Sequence, residues 1–161
     1  MRTVNHQTLA LQSGAVLSLA IAGSLLCAIA APFAMTNPGI VPIDAKALAS
    51  TATAPIEDTA YWKVVGTQGS PAASVSTYIS TDKLFEAGVS RYDRVTLELR
   101  NWPADEFMYI VEGHVEITPL GGRPHVYGPG DAFVMPKGFE GKWRQLSNLR
   151  KIQVTYTGQP R

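Results

Sequence analysis

From Tyr61 onward the chain is written in short apolar runs separated by turn residues. Tyr61 to Val65 predicts a strand that ends at Gly66. Gln68-Gly69-Ser70-Pro71 predicts a turn, and Val75 to Ser80 a second strand mixing β-branched and polar side chains. Leu84 to Val89 follows. Arg94 to Arg100 alternates charged or polar with apolar residues, the period of a half-buried antiparallel strand. Further strands are predicted over Phe107–Val111, Val115–Thr118, His125–Tyr127, Ala132–Met135, Lys142–Leu146 and Arg150–Tyr156, with Gly121-Gly122 as a hairpin turn. No run after the N-terminal segment has the period of a long helix. Short strands at close spacing predict an all-β antiparallel sandwich or barrel.

The first part of the chain reads differently. Between Arg2 and Asp44 there is no Asp, Glu, Lys or Arg, and Ala15 to Ala31 is apolar apart from two serines and one glycine. That length lies at the lower limit of a membrane span and slightly above the core of an export signal. Residues 1–34 are therefore read as a signal peptide or as an uncleaved N-terminal membrane anchor. A buried helix is the third reading, although such a helix would carry polar residues along one face. Ala28-Ile29-Ala30 supplies a small-x-small cleavage pattern. Leu26 precedes Cys27 where lipidation would need a small residue. Arg2 would stay on the cytoplasmic side and the rest of the chain would be exported, periplasmic or extracytoplasmic. Residues 35–59, rich in Pro, Ala, Ser and Thr without an apolar period, predict a flexible linker. Residues 60–161 are then the folded domain, large enough for a single core.

Charge and cysteine content narrow the function classes. Fourteen Lys and Arg against thirteen Asp and Glu leave a formal charge of +1, which gives no electrostatic reason to expect a nucleic-acid partner. The single cysteine, Cys27, rules out an intramolecular disulfide framework. The three histidines, His6, His114 and His125, are too few and too scattered to suggest a histidine-rich metal cluster.

Two blocks organise the domain: Asp105-Glu106-Phe107-Met108-Tyr109-Ile110-Val111-Glu112-Gly113 and Gly128-Pro129-Gly130-Asp131-Ala132-Phe133-Val134-Met135-Pro136-Lys137-Gly138. Glu106 followed by Gly113, and Gly130 followed by Pro136 and Gly138, resemble the two motifs of the cupin superfamily. The longer set Trp102-Pro103, Asp105-Glu106-Phe107, Gly130 to Phe133, Pro136 to Phe139, Gly141, Trp143 and Arg150-Lys151 resembles the small cupins named for (S)-ureidoglycine aminohydrolase. The resemblance covers about residues 82–156. It implies an RmlC-like jelly-roll β-barrel of one cupin domain and the pairing of such barrels as homodimers. Gly113, Gly130, Asp131, Pro136 and Gly138 are expected to be structural turns, where glycine reaches positive φ without steric cost and aspartate bonds its own turn.

Metal-dependent cupins carry histidines just before the motif glutamate and after the second motif. Here those places hold Leu99-Arg100-Asn101-Trp102 and Gly141, so Glu106 is the only motif ligand left. One carboxylate does not hold a first-row metal, and no metal or other cofactor is expected. His114 and His125 are read as surface or hydrogen-bonded residues. Along the strand from Asp105 the two-residue period puts Glu106, Met108, Ile110 and Glu112 on one face and Phe107, Tyr109 and Val111 on the other. The resemblance implies that Glu106 points into the barrel, where a carboxylate needs a partner. Lys151 and Arg100 are the candidates, with Trp143 as an apolar wall. The pair is either structural or part of a pocket in which Glu106 accepts a proton or binds a ligand. Glu106, Tyr109, Trp143, Lys151 and Arg100 are thus the candidate pocket residues. Three functions stay open: metal-independent binding of a small molecule, an enzyme of the ureidoglycine aminohydrolase-like type on a small nitrogenous or carbohydrate-like substrate, or a structural interaction module.

Overall fold

The structure is a computed structural model and describes residues 39–67 and 69–158. The expected leader over 1–34, and the first part of the expected linker, lie outside them. The folded unit begins at Ile40. Its described residues form one 3-10 helix, Ala45–Ser50, and eleven strands: β1 Ala54–Pro55, β2 Trp62–Gly66, β3 Pro71–Ile79, β4 Phe85–Tyr92, β5 Thr96–Leu99, β6 Asp105–Glu112, β7 Val115–Pro119, β8 His125–Tyr127, β9 Ala132–Met135, β10 Gly141–Gln145 and β11 Leu149–Tyr156. They form two sheets, ordered β1-β3-β4-β11-β6-β9 and β2-β5-β10-β7-β8, and each strand pair is antiparallel. This is the all-β arrangement that the strand pattern predicts, and it is consistent with a jelly roll.

The main core gathers apolar side chains from both sheets: Leu99, Met108, Ile110 and Met135 with Val115, Ile117, Trp143 and Leu149. Period-two burial on β6 drives this. Glu106, Met108 and Ile110 are buried while Phe107 and Tyr109 are exposed. A bulge then changes the phase. Arg150 faces Glu112 and Lys151 faces Ile110, so Val111 has no register partner on β11. Such an extra residue turns all that follow it to the other side. Glu112 therefore leaves the face of Glu106, contrary to the simple alternation, and pairs at the surface with Arg150 at 3.0 Å.

The expected linker is corrected over its second half. Asp44 caps the 3-10 helix by accepting a hydrogen bond from the Lys46 backbone at 2.8 Å. Leu48 is buried with Ala73 and Val89, and Val75 and Ile152 pack beside them. One apolar residue at the right place is enough to seat a polar-looking segment on a sheet, and a single residue leaves no periodicity to read. At Gly113, φ is +83° and a β-carbon would collide with the Asn148 carbonyl, so both conformation and space demand glycine. Gly130 and Gly138 also have positive φ. Asp131 accepts from the Gly128 N–H at 2.8 Å, closing its own turn.

Candidate functional site

Glu106 and Lys151 meet inside the main core. Glu106 comes from β6 and Lys151 from the neighbouring β11, but they are not register partners: Glu106 faces Thr155 and Lys151 faces Ile110. The backbones of Glu106 and Ile110 are four residues apart, about 13 Å along the strand. The two side chains therefore reach toward each other along the inner wall. Lys151 Nζ donates to Glu106 Oε1 at 2.6 Å, and each side chain is only 6% exposed. The ammonium also lies 3.5 Å from Met108 Sδ, the side chain between them on β6, and 5.8 Å from the centre of the Trp143 ring. Gln145, buried on the same strand as Trp143, fixes that ring when its amide is oriented to accept from Trp143 Nε1 at 3.2 Å and donate to the Asp93 carbonyl at 2.6 Å.

Burial is the largest influence on Lys151 and disfavours its charge. The Glu106 carboxylate, with the Tyr92 side chain and the hydrogen bond to Glu106, outweighs burial and raises the Lys151 pKa above its ordinary value. Lys151 is thus an ammonium ion at neutral pH, held in the core by its counter-ion.

Of the five candidate pocket residues the structure brings three together: Glu106, Lys151 and Trp143. The other two are corrections. Tyr109 is odd in the β6 alternation and points away from Glu106, 39% exposed. Arg100 follows Leu99, whose side chain enters the core, so its own side chain turns outward to Glu98 at 3.3 Å. An arginine next in sequence to a buried strand residue faces solvent by the same two-residue rule.

The donor set does not fit the metal that the motif glutamate implies. One oxygen of Glu106 is bonded to an ammonium, His114 packs on the turn at Gly128, and His125 is exposed and tilted against Tyr127. Among the described residues no three His, Cys, Asp or Glu side chains converge as a metal site. Lys151 supplies a positive charge beside Glu106, and no step of Lewis-acid chemistry follows from these residues.

A cavity of about 230 Å³ opens nearby, lined by Ile117, Tyr127, Phe133, Met135 and Phe139 with Arg123 and His125. Met135 is the register partner of Glu106, so the cavity and the ion pair occupy adjacent strands. Tyr127 lies on Phe133 with ring centres 4.2 Å apart, and Phe133 leads to Trp143 at 6.5 Å. Sequence reasoning missed this cavity. Its one available signal was His125-Val126-Tyr127 set against Phe133, whose side chains meet only when β7, β8 and β9 close over one another.

Replacing Lys151 by Met should lower stability by about 3–5 kcal/mol, because it strands a buried carboxylate. Adding Glu106→Leu should recover most of that loss, and urea midpoints measure both. The pH dependence has a definite sign. A raised folded pKa gives stability that is full at neutral pH and lost as the pH climbs beyond 10.5, the ordinary lysine value. Wild-type midpoints should fall in that range more steeply than those of the double variant. Equal midpoints for wild type and Lys151→Met would show that the pair does not hold this part of the core.

Comparison with known proteins follows the same lines. Residues 99–152, which contain Glu106, Trp143 and Lys151, match the family model described as EutQ-like cupin domain. Among curated proteins none matches. A solved structure of a DUF861 protein of unknown function from Pseudomonas syringae pv. tomato is similar at 19% identity and a TM-score of 0.57, covering 70% of this chain and 46% of that one. Ethanolamine utilization protein Q of Salmonella typhimurium is 18% identical, with a TM-score of 0.48 and coverage of 55% and 72%. Ectoine synthase of P. lautus is 17% identical, with a TM-score of 0.49 and coverage of 73% and 78%. The resemblance to the ureidoglycine aminohydrolase type finds no support among these matches. The family match over residues 99–152, about a third of the chain, and the likeness to the Pseudomonas syringae structure show a fold of the cupin type.

Proposed function

We propose that this cupin domain binds a small organic molecule without a metal ion, in the cavity beside β8 and β9. The observation that carries this reading is the 2.6 Å contact between Lys151 and Glu106, which engages the motif carboxylate internally. The pair then supports the core rather than the ligand, and the apolar cavity beside it becomes the seat. Concave, largely apolar space with a few polar groups is the usual form of a small-molecule site. Trp102 adds to the case. Its backbone N–H donates to the carbonyl of Phe139, a lining residue, and its buried indole Nε1 meets no acceptor among the described residues. A buried donor of this kind is commonly satisfied by water or a ligand atom.

Two further parts of the reading concern where and how the domain works. Residues 1–34 carry it out of the cytoplasm, as a cleaved signal or as an anchor, because their apolar stretch has no charged side chain after Arg2. Two copies pair through the outer face of the larger sheet. Phe107 and Val134 are register partners on that face, 41% and 59% exposed, with Tyr109 beside them, and β9 is a short edge strand.

Metal analysis of untagged protein should find less than stoichiometric manganese, iron and zinc, and ligand binding should survive a chelator. A full equivalent of any of them would overturn the metal-independent reading. Residues 1–34 fused to alkaline phosphatase should give active enzyme in a bacterial host; an inactive, cytoplasmic fusion would remove export. Light scattering at micromolar concentration should show a dimer that Val134→Lys converts to a monomer, whereas a wild-type monomer would dismiss the pairing.

A further inference from the structure

We infer that the cavity selects a compact organic monoanion, a carboxylate on an aromatic or short aliphatic body, and that Arg123 is the residue that recognises its charge. The inference rests on the reading of this cavity as the ligand seat. Three observations point to the class. First, the walls at Ile117, Tyr127, Phe133, Met135 and Phe139 are apolar or aromatic, so the body of the ligand must be one that gains by leaving water. Second, the lining contains no carboxylate, and its charged or basic side chains are Arg123 and His125. An anion therefore meets no repulsion from the lining, whereas a cation would find no partner there. Third, Arg123 is exposed and forms no ion pair or hydrogen bond among the described residues, unlike Arg100, Arg144 and Arg150, each paired with a glutamate.

Size and charge count sharpen the class. A volume of about 230 Å³ lies below the range of about 300–1,000 Å³ usual for the sites of drug-sized ligands. That suits a ring or a short chain with one polar head and is too small for a nucleotide. One planar guanidinium offers a fork that matches one carboxylate by two parallel hydrogen bonds. His125, tilted against Tyr127 with ring centres 4.5 Å apart, also lines the cavity and can give a further hydrogen bond. The aromatic row from Tyr127 to Phe133 then flanks the body of the ligand.

Benzoate and its neutral analogue benzamide separate the possibilities by calorimetric titration of the full-length protein, with the Met135 methyl resonance as a local reporter. Benzoate should bind and shift that resonance. Arg123→Gln, at an exposed position, should weaken benzoate at least about tenfold, the effect of losing a charge-assisted hydrogen bond, and leave benzamide unchanged. Equal affinity for both probes, unaltered by Arg123→Gln, would overturn the selection of an anion and leave the cavity standing as a seat. Failure of both probes to bind or to shift Met135 at about 10 mM would overturn both the inference and the cavity reading. Benzoate binding that requires added metal would instead overturn metal independence while Arg123 kept its role.

Discussion

The buried ion pair of Glu106 and Lys151 is the constraint around which this barrel is arranged. A carboxylate alone in such a core would cost several kcal/mol or take up a proton. Here the cation is covalently part of the same sheet, one strand away, and reaches its partner past Met108. Because Lys151 lies opposite Ile110 and Glu106 opposite Thr155, the two side chains reach toward each other along the wall, and sliding β11 against β6 would part them. The bulge at Val111 is part of that placement, since it sets the register below it independently of the register above. Aromatic packing by Trp143, steadied by Gln145, keeps water from the ammonium and so strengthens the attraction.

Much of the fold was legible from local rules. The strands fall where period two and the glycine and proline punctuation put them, because a sheet with one dry face imposes that pattern residue by residue. Glu106 and Lys151 were also readable as partners, from the motif that places one inside and the cost of leaving it alone there. What failed was whatever depended on phase or on distant packing. Glu112 continued the apolar face on paper, and a single inserted residue turned it out to Arg150. Tyr109 faces outward, where its own strand period puts it, and so stands apart from the pocket residues. Leu48 was hidden in a polar stretch because a plug of one side chain has no period. The cavity was invisible for a different reason: Ile117, Tyr127, Phe133 and Phe139 belong to different parts of the chain and are adjacent only in the closed barrel.

The ion pair and the cavity divide the interior into two chemical environments. Between β6 and β11 the Glu106 carboxylate and the Lys151 ammonium satisfy each other. In front of β9 the lining is apolar and the free charge sits at the edge. Met135 is the partition, opposite Glu106 in the sheet and exposed to the cavity by its other side.

The seat of Leu48 on the larger sheet has a mechanical consequence. Tension arriving along the chain from its N-terminal side meets the 3-10 helix before it meets any long strand. Leu48 is held by Ala73 and Val89, on β3 and β4, so the load is spread over two strands and not focused on the last hydrogen bond of one. Beside that apolar plug, Arg91 donates to the Thr51 carbonyl at 3.2 Å and β1 pairs with β3, so the segment is fastened to the sheet at three places.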